Sequence, residues 1–160
     1  MSLFTYHTGR LEENSKKQSS EEKKVEEEQK IETHYTWKKG EHIQLSKNFS
    51  SLELQCKCRN SDCIDQKINK ELIEKAQKVR DDHGNTIIVT SGFRCLKHNK
   101  AEGSSDTSQH PLGNGLDYCS SELNELYQLS EKHFNAVGDG RKKGFVHVDS
   151  RNDKIRRWNY

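Results

Sequence analysis

Two histidines and an aspartate in the second half of the chain have the types and spacing of metal ligands. His110 and Asp117 lie on either side of a turn that contains Pro111 and two glycines, and His147 stands in a separate stretch, FVHVDSR. A catalytic zinc ion uses imidazole and carboxylate ligands when one coordination position stays open for water. Each residue alone is weak evidence, because a single histidine in a polar chain is usually a surface or hydrogen-bonded residue. The spacing is not the helical H-E-x-x-H pattern, so it predicts a site built from loops and strands.

The composition predicts one modest domain with a charged N-terminal segment. Hydrophobic residues make up 29% of the 160 residues and charged residues 32%, so the whole chain is not expected to form a core. Residues 1–40 are rich in charges of both signs, which predicts an exposed or flexible segment. The alternative for this segment is a tether to a partner such as a virion. Residues 41–160 are expected to form the globular domain.

Charge and hydropathy bear on several classes of protein. The formal net charge is only +2, which does not require a nucleic-acid partner. The chain has no apolar run of 18 residues, so no membrane span is predicted. It also lacks the apolar core of a secretory signal peptide. If the substrate lies outside the cytoplasm, we expect another component to deliver the protein.

Five cysteines form two groups whose chemical state the sequence leaves open. Cys56, Cys58 and Cys63 form a C-x-C-x4-C cluster, whereas Cys95 and Cys119 flank the main motif. The cluster is consistent with a structural metal whose fourth ligand is Cys95 or a histidine, with one disulfide, or with free thiols. An odd number of cysteines excludes a fully disulfide-paired monomer. Neither Cys95 nor Cys119 has the context of a catalytic nucleophile, so both are expected to be core thiols.

Periodicity predicts the elements that would hold these residues. Residues 69–83 have the apolar stripe of an amphipathic helix with Gly84 at its end, and residues 86–90 read as a short buried strand. Polar residues that follow a buried strand often face a cleft, which makes Arg94 and His98 candidate site residues. Residues 99–109 are expected to form a polar loop.

The second half of the domain is predicted to alternate strands and a helix. Residues 116–118 enter a strand, Ser120 or Ser121 caps a helix, and residues 138–144 form a hairpin-like turn. In a strand over residues 145–149, Phe145, His147 and Asp149 share one face, and the two valines share the other.

Several ordered motifs together resemble the zinc D-Ala-D-Ala carboxypeptidases and the phage L-alanyl-D-glutamate endopeptidases, which cut bacterial peptidoglycan. The resemblance covers residues 49–158. The zinc-binding core of hedgehog signalling domains resembles the same fold, so the fold by itself does not imply catalysis. The matching residues are Ser91-Gly92-Phe93-Arg94, His98-Asn99, Gly103, Ser108-x-His110-x-x-Gly113-x-x-x-Asp117 and the stretch from Phe145 to Arg151.

The resemblance implies an α+β fold, with a small antiparallel sheet and helices packed on it. It implies a zinc ion held by His110, Asp117 and His147, with water in the fourth position. It also implies that Arg94 binds a substrate carboxylate or a developing oxyanion. Ser108 and His98 are expected to contact the substrate, although a loop hydroxyl such as Ser108 can equally bond the backbone.

The general base is where this sequence departs from the family. Some relatives have an acidic residue three positions before the second histidine, and here that position is Gly144. Asp149 is the best substitute by strand geometry, because it shares a face with His147. It can equally orient a ligand or pair with Arg151. Asp139 and His133 are weaker candidates.

The predicted function is zinc-dependent hydrolysis of an amide bond in a peptidoglycan stem or cross-bridge. Family habit points to a phage or prophage enzyme, released through a holin or carried on a virion. The alternative is a non-catalytic zinc module that binds cell wall or a partner. A nucleic-acid-binding protein built on CKCRNSDC and RNDKIRR is disfavoured, because its basic residues are not clustered with aromatic ones.

Overall fold

The computed structural model describes residues 33–160, and the predicted charged segment lies largely outside them. Within this range the chain forms two sheets and several helices. The strands are β1 His34–Lys38, β2 Asp65–Asn69, β3 Ile88–Ser91, β4 Gly115–Cys119, β5 Ala136–Gly140, β6 Phe145–Asp149 and β7 Arg156–Asn159. The helices are α1 Ser51–Leu54, α2 Lys70–His83, α3 Leu96–Ala101 and α4 Leu123–His133. The first paired strand therefore begins before residue 41, where the domain was expected to start.

The five-stranded sheet has the order β3-β4-β6-β5-β7, and β1 and β2 form a separate antiparallel pair. Neighbours in the larger sheet run antiparallel except β5 and β7, which run parallel. The predicted α+β class with a small, mainly antiparallel sheet and packed helices is confirmed. The C-terminal residues, which were expected to fold back on the sheet, supply its edge strand β7.

Alternation along β4 and β6 separates the core from the functional face. Leu116 and Tyr118 of β4 and the two valines of β6 are buried in the main hydrophobic cluster, together with apolar side chains of α2 and α4. Asp117 and His147 therefore project from the opposite face, because successive side chains of a strand alternate. The register pairs Asp117 with His147 directly across the two strands.

Local signals set the bounds of the longest helix. The Asn69 side chain accepts a hydrogen bond from Leu72 N, and Gly84 ends the helix with φ +68°. The helix α4 differs from expectation, because it begins at Leu123 after Glu122 rather than with a serine cap.

The predicted hairpin-like turn over residues 138–144 is shorter than expected. Residues 138–140 belong to β5, and only residues 141–143 form a turn before β6. Gly138 suits a strand here because aromatic rings cover it. A Cβ atom at this position would lie 2.7 Å from Cε2 of Trp158 and 2.6 Å from Cε2 of Tyr160.

Candidate metal centre

The three predicted metal ligands converge in the structure. His110 comes from the turn before β4, Asp117 from the middle of β4, and His147 from the middle of β6. One donor atom from each lies within 4.8 Å of the other two. His147 Nδ1 lies 2.7 Å from Asp117 Oδ1, and His110 Nε2 lies 3.3 Å from Asp117 Oδ2. All three side chains are buried.

In each imidazole, one ring nitrogen donates a hydrogen bond away from Asp117, and this leaves the other ring nitrogen to face Asp117 and a metal. His110 Nδ1 lies 2.7 Å from the Gly92 carbonyl oxygen, which can only accept, so Nδ1 donates there and Nε2 is the nitrogen that faces Asp117. His147 Nε2 lies 3.3 Å from the acceptor Asp149 Oδ2, so His147 Nδ1 is the nitrogen that faces Asp117. With a metal ion in place of the protons between these groups, the donor set would be two imidazole nitrogens and a carboxylate, which fits a zinc ion with an open position.

Asp117 is held as an anion between three positively polarised groups. Burial alone would raise the pKa of its carboxyl, but hydrogen bonds from His110 and His147 outweigh this and hold the pKa well below its usual range. Arg94 adds a buried ion pair, with its Nη2 2.6 Å from Asp117 Oδ2. A carboxylate that stays ionised is ready to coordinate a cation.

Arg94 lies beside this centre, as predicted, and the protein itself engages part of its guanidinium. Its Nε donates to Ser91 Oγ at 2.6 Å and its Nη1 donates to Ser104 Oγ at 3.0 Å, in addition to the hydrogen bond from Nη2 to Asp117. Three of the five guanidinium protons are used in this way, so two remain for a ligand. Sequence reasoning did not assign a role to Ser91 or Ser104.

Asp149 lies on the far side of His147, next to the metal ligands. Its carboxylate accepts hydrogen bonds from Arg151 Nε at 2.9 Å and Arg151 Nη2 at 2.7 Å, and its side chain has no exposed surface. Burial opposes its ionisation, yet hydrogen bonds from His147 and Arg151 lower its pKa to about 2. The other candidate bases, Asp139 and His133, pair with Arg141 and Asp82 respectively.

The three candidate metal ligands lie in a cleft of about 1180 Å³. Arg94, Ser108 and His98, the predicted substrate-contacting residues, also line this cleft. His98 makes contacts within the protein, because its Nε2 lies 3.3 Å from Glu102 Oε1. The aromatic end of the chain forms another wall that sequence reasoning did not assign to the site. There the Trp158 ring lies 5.4 Å from the His147 ring, measured between centroids.

Gly92 is a position where backbone packing supports the candidate metal centre. A Cβ atom there would lie 2.8 Å from Leu54 Cα and closer still to the Leu54 carbonyl oxygen, which accepts the Phe93 amide. The same glycine offers its own carbonyl to His110. A signal for this role was present in the SGFR motif, which has glycine where the chain passes α1.

We expect Gly92→Ala to lower the free energy of unfolding by about 1–3 kcal/mol, because rigid backbone atoms of Leu54 cannot move aside for a methyl group. Urea denaturation of purified protein measures this change. Thr90→Ala is the matched control, because Thr90 is an exposed neighbour on β3. Equal midpoints for the two variants would contradict the packing argument.

A family model described as Peptidase M15 matches residues 47–149, which is more than half of the chain. The chain belongs to the peptidase M15 family. A comparison with curated proteins found no match. Members of this family are zinc peptidases, and the matched range contains the three convergent ligands.

Membership of the M15 family makes this protein a metallopeptidase and confirms the predicted family. The His-Asp-His donor set described above agrees with the zinc that the family uses. Among residues 33–160, no helix is both long and apolar enough to cross a membrane.

Proposed function

We propose that this M15 peptidase uses zinc held by His110, Asp117 and His147 to hydrolyse an amide bond in peptidoglycan stem peptides or cross-bridges. The observation that supports this most directly is the buried His-Asp-His triad in a cleft large enough for a peptide. The resemblance to peptidoglycan-cutting zinc peptidases supplies the substrate class. A role in phage lysis or on a virion belongs to the same proposal and has the same support.

The charge of the cleft supports an acidic peptide as substrate. Among the described residues that line it, the carboxylates are Asp117, a metal ligand, and Glu102. Stem peptides carry free carboxylates, and cationic side chains recognise such groups by charge-assisted hydrogen bonds. The cations that line the same cleft are Lys57, Arg94, Lys143, Arg151, Arg156 and Arg157.

The residues of this chain divide the catalytic work. Zinc in a three-ligand site activates water near neutral pH and polarises a carbonyl oxygen. Asp117 and the two histidines would hold the metal. Arg94 has two guanidinium protons without a partner in the described contacts. It can donate hydrogen bonds through them to the oxyanion that develops on the scissile carbonyl or to a substrate carboxylate. Trp158 lines the same cleft, with its ring beside that of His147.

We propose that Asp149 orients His147 and does not act as the general base. A base must reach the proton that it removes, whereas the Asp149 side chain is fully buried and is occupied by Arg151 and His147. A carboxylate with a pKa of about 2 is also a weak proton acceptor at neutral pH. Its position behind a ligand is that of the carboxylates which orient zinc-bound histidines.

Asp149→Asn is therefore expected to weaken zinc binding by about 10–100-fold, because the amide holds the His147 ring less firmly in its metal-binding tautomer. Competition with a chromogenic chelator measures the zinc affinity. At saturating zinc, we expect turnover to recover to a large part of the wild-type value. Turnover that stays abolished while zinc affinity is unchanged would instead make Asp149 the base. Asp153→Asn, which alters an exposed aspartate, is the matched control.

A non-catalytic zinc module is the second candidate function, and one observation favours it. Gly144 stands where some relatives have an acidic residue, and Glu102 is the one carboxylate besides Asp117 among the described residues that line the cleft. Glu102 lies 3.3 Å from His98. A protein of this kind would bind peptidoglycan through the basic cleft without cutting it.

Mass spectrometry of purified peptidoglycan fragments distinguishes the two functions. The zinc-loaded protein is incubated with fragments of several stem and cross-bridge types, with and without a chelator. We expect a new fragment that disappears with chelator and returns with added zinc, and its mass identifies the bond and the exo or endo mode. Retention of the protein on cell walls, with no product from any type, would support the binding module.

A further inference from the structure

A second group of metal-binding side chains lies apart from the zinc triad. Cys56, Cys58 and Cys63 follow α1, and Cys95 immediately precedes α3. One sulfur atom from each lies within 4.8 Å of the other three, although Cys95 is far from the others in sequence. The described residues include every cysteine of the chain, and none of the five forms a disulfide. The fifth, Cys119, lies on β4 outside this cluster.

We propose that these four cysteines bind a structural zinc ion as a tetrathiolate. The Zn–S bond of about 2.3 Å places the sulfurs of a tetrahedral site about 3.8 Å apart. Cys95 Sγ and Cys58 Sγ lie 3.7 Å apart, which matches this edge. A disulfide would require about 2.05 Å between bonded sulfurs. Four protein ligands leave no open position, so the site is structural and not catalytic.

Hydrogen-bond donors surround these sulfurs, as expected for thiolates in a metal site. The Cys95 amide donates to Cys56 Sγ at 3.3 Å, and His98 Nδ1 lies at the same distance from that sulfur. Gln66 Nε2 donates to Cys63 Sγ at 3.5 Å, and Lys39 Nζ donates to Cys58 Sγ at 3.6 Å. The Lys39 charge also offsets part of the net negative charge of a zinc tetrathiolate.

The buried side chain of Gln66 organises the loop that supplies most of the ligands. Its Oε1 accepts from Cys56 N at 2.8 Å, and its Nε2 donates to Cys63 O at 3.0 Å. Gln66 is only 2% exposed, although glutamine is seldom buried without a specific partner. One amide therefore bonds the chain at both ends of C-x-C-x4-C and holds these two cysteines close together.

The proposed ion would connect this loop to the segment that builds the catalytic centre. Cys95 directly follows Arg94, and Phe93 packs against Cys56 and Cys63. Gly92, one residue earlier, accepts the hydrogen bond from His110. A zinc ion at the cysteine cluster would hold residues 92–95 in place and thus support both Arg94 and His110. Its presence does not depend on whether the protein cuts peptidoglycan.

Metal analysis of the full chain, purified in the presence of zinc, tests the proposal. We expect two zinc ions per chain in the wild type and in Cys119→Ser, and one in Cys95→Ser. His110→Ala removes the other ion and also leaves one. A single zinc in the wild type that Cys95→Ser retains would overturn the proposal, as would iron in place of zinc at the four cysteines. Intact mass under non-reducing conditions, lower than calculated by one disulfide or more, would also overturn it.

Cobalt substitution keeps the test decisive if Cys95→Ser folds poorly. Tetrahedral Co²⁺ bound to thiolates gives an intense sulfur-to-metal charge-transfer band, which imidazole and carboxylate ligands do not produce. We expect this band in the wild type, in His110→Ala and in Cys119→Ser. We also expect Cys119 to be the one thiol that reacts with a thiol reagent in the native zinc-loaded protein, with all five reacting after denaturation and chelation. Absence of the cobalt band from well-folded His110→Ala would overturn the proposal.

Discussion

Replacing His110 with alanine is expected to remove zinc from the catalytic centre and to lower kcat/KM by about a thousandfold or more. His110 supplies one of three protein donors, and the hydrogen bond from its Nδ1 to Gly92 already directs its Nε2 toward the site. A site left with Asp117 and His147 alone binds zinc weakly, so both water activation and carbonyl polarisation are lost. Release of the product fragment identified by mass spectrometry measures the rate.

The control for this variant is His42→Ala, because His42 is exposed and does not line the cleft. It should retain wild-type rate and zinc content. The His110 variant should keep the far-ultraviolet circular dichroism of the wild type, since the sheet does not depend on this side chain. Wild-type turnover by a His110 variant that lacks zinc at this centre would contradict the proposed mechanism.

Replacing Arg94 with methionine is expected to lower kcat/KM by about 10²–10³-fold even at saturating zinc, which is the size of effect seen when one donor to a developing oxyanion is removed. Methionine keeps an unbranched side chain of similar length, but it removes the buried charge beside Asp117. Rates measured across a range of zinc concentrations separate two roles. A transition-state role leaves the loss in kcat at saturating zinc, whereas a role limited to positioning Asp117 is rescued by zinc.

Arg80→Met is the matched control, because Arg80 lies on α2 and not in the cleft lining. It should change neither kcat nor zinc affinity. Full recovery of the Arg94 variant with added zinc would limit Arg94 to holding Asp117, and the substrate carboxylate or oxyanion would then need a different donor. Arg94→Lys gives a finer comparison, since lysine keeps the charge but cannot contact Ser91, Ser104 and Asp117 together.

Much of the candidate metal centre could be predicted because its signals are local. The alternation in FVHVDSR placed His147 and Asp149 on one face of a strand and the two valines on the other, and β6 has this arrangement. Asn69 and Gly84 bound α2 by capping interactions that depend only on near neighbours in sequence. The ordered motifs from Ser91 to Asp117 supplied the family, which the match to Peptidase M15 confirms.

Elements with weak local signals became apparent only in the tertiary structure. The sequence of β2, DQKIN, is too polar to predict a strand, and its buried Gln66 makes sense only beside the cysteine loop. From local sequence, the glycines of β5 predict a turn. In the structure, Trp158 and Tyr160 pack over Gly138 and the segment is a strand. In both places, contacts between distant parts of the chain outweigh the local preference of the backbone.

By itself, the sequence determined which residues could bind metal, because ligand chemistry depends on side-chain type and short spacing. Only the tertiary structure decided how those residues meet. The register of β4 against β6 places Asp117 opposite His147. The path of the chain past α1 brings Cys95 to three cysteines that lie 32 to 39 residues earlier. It also decided that Asp149 lies behind His147 with Arg151. Distances between elements are set by long-range packing, which no local pattern of residue types encodes.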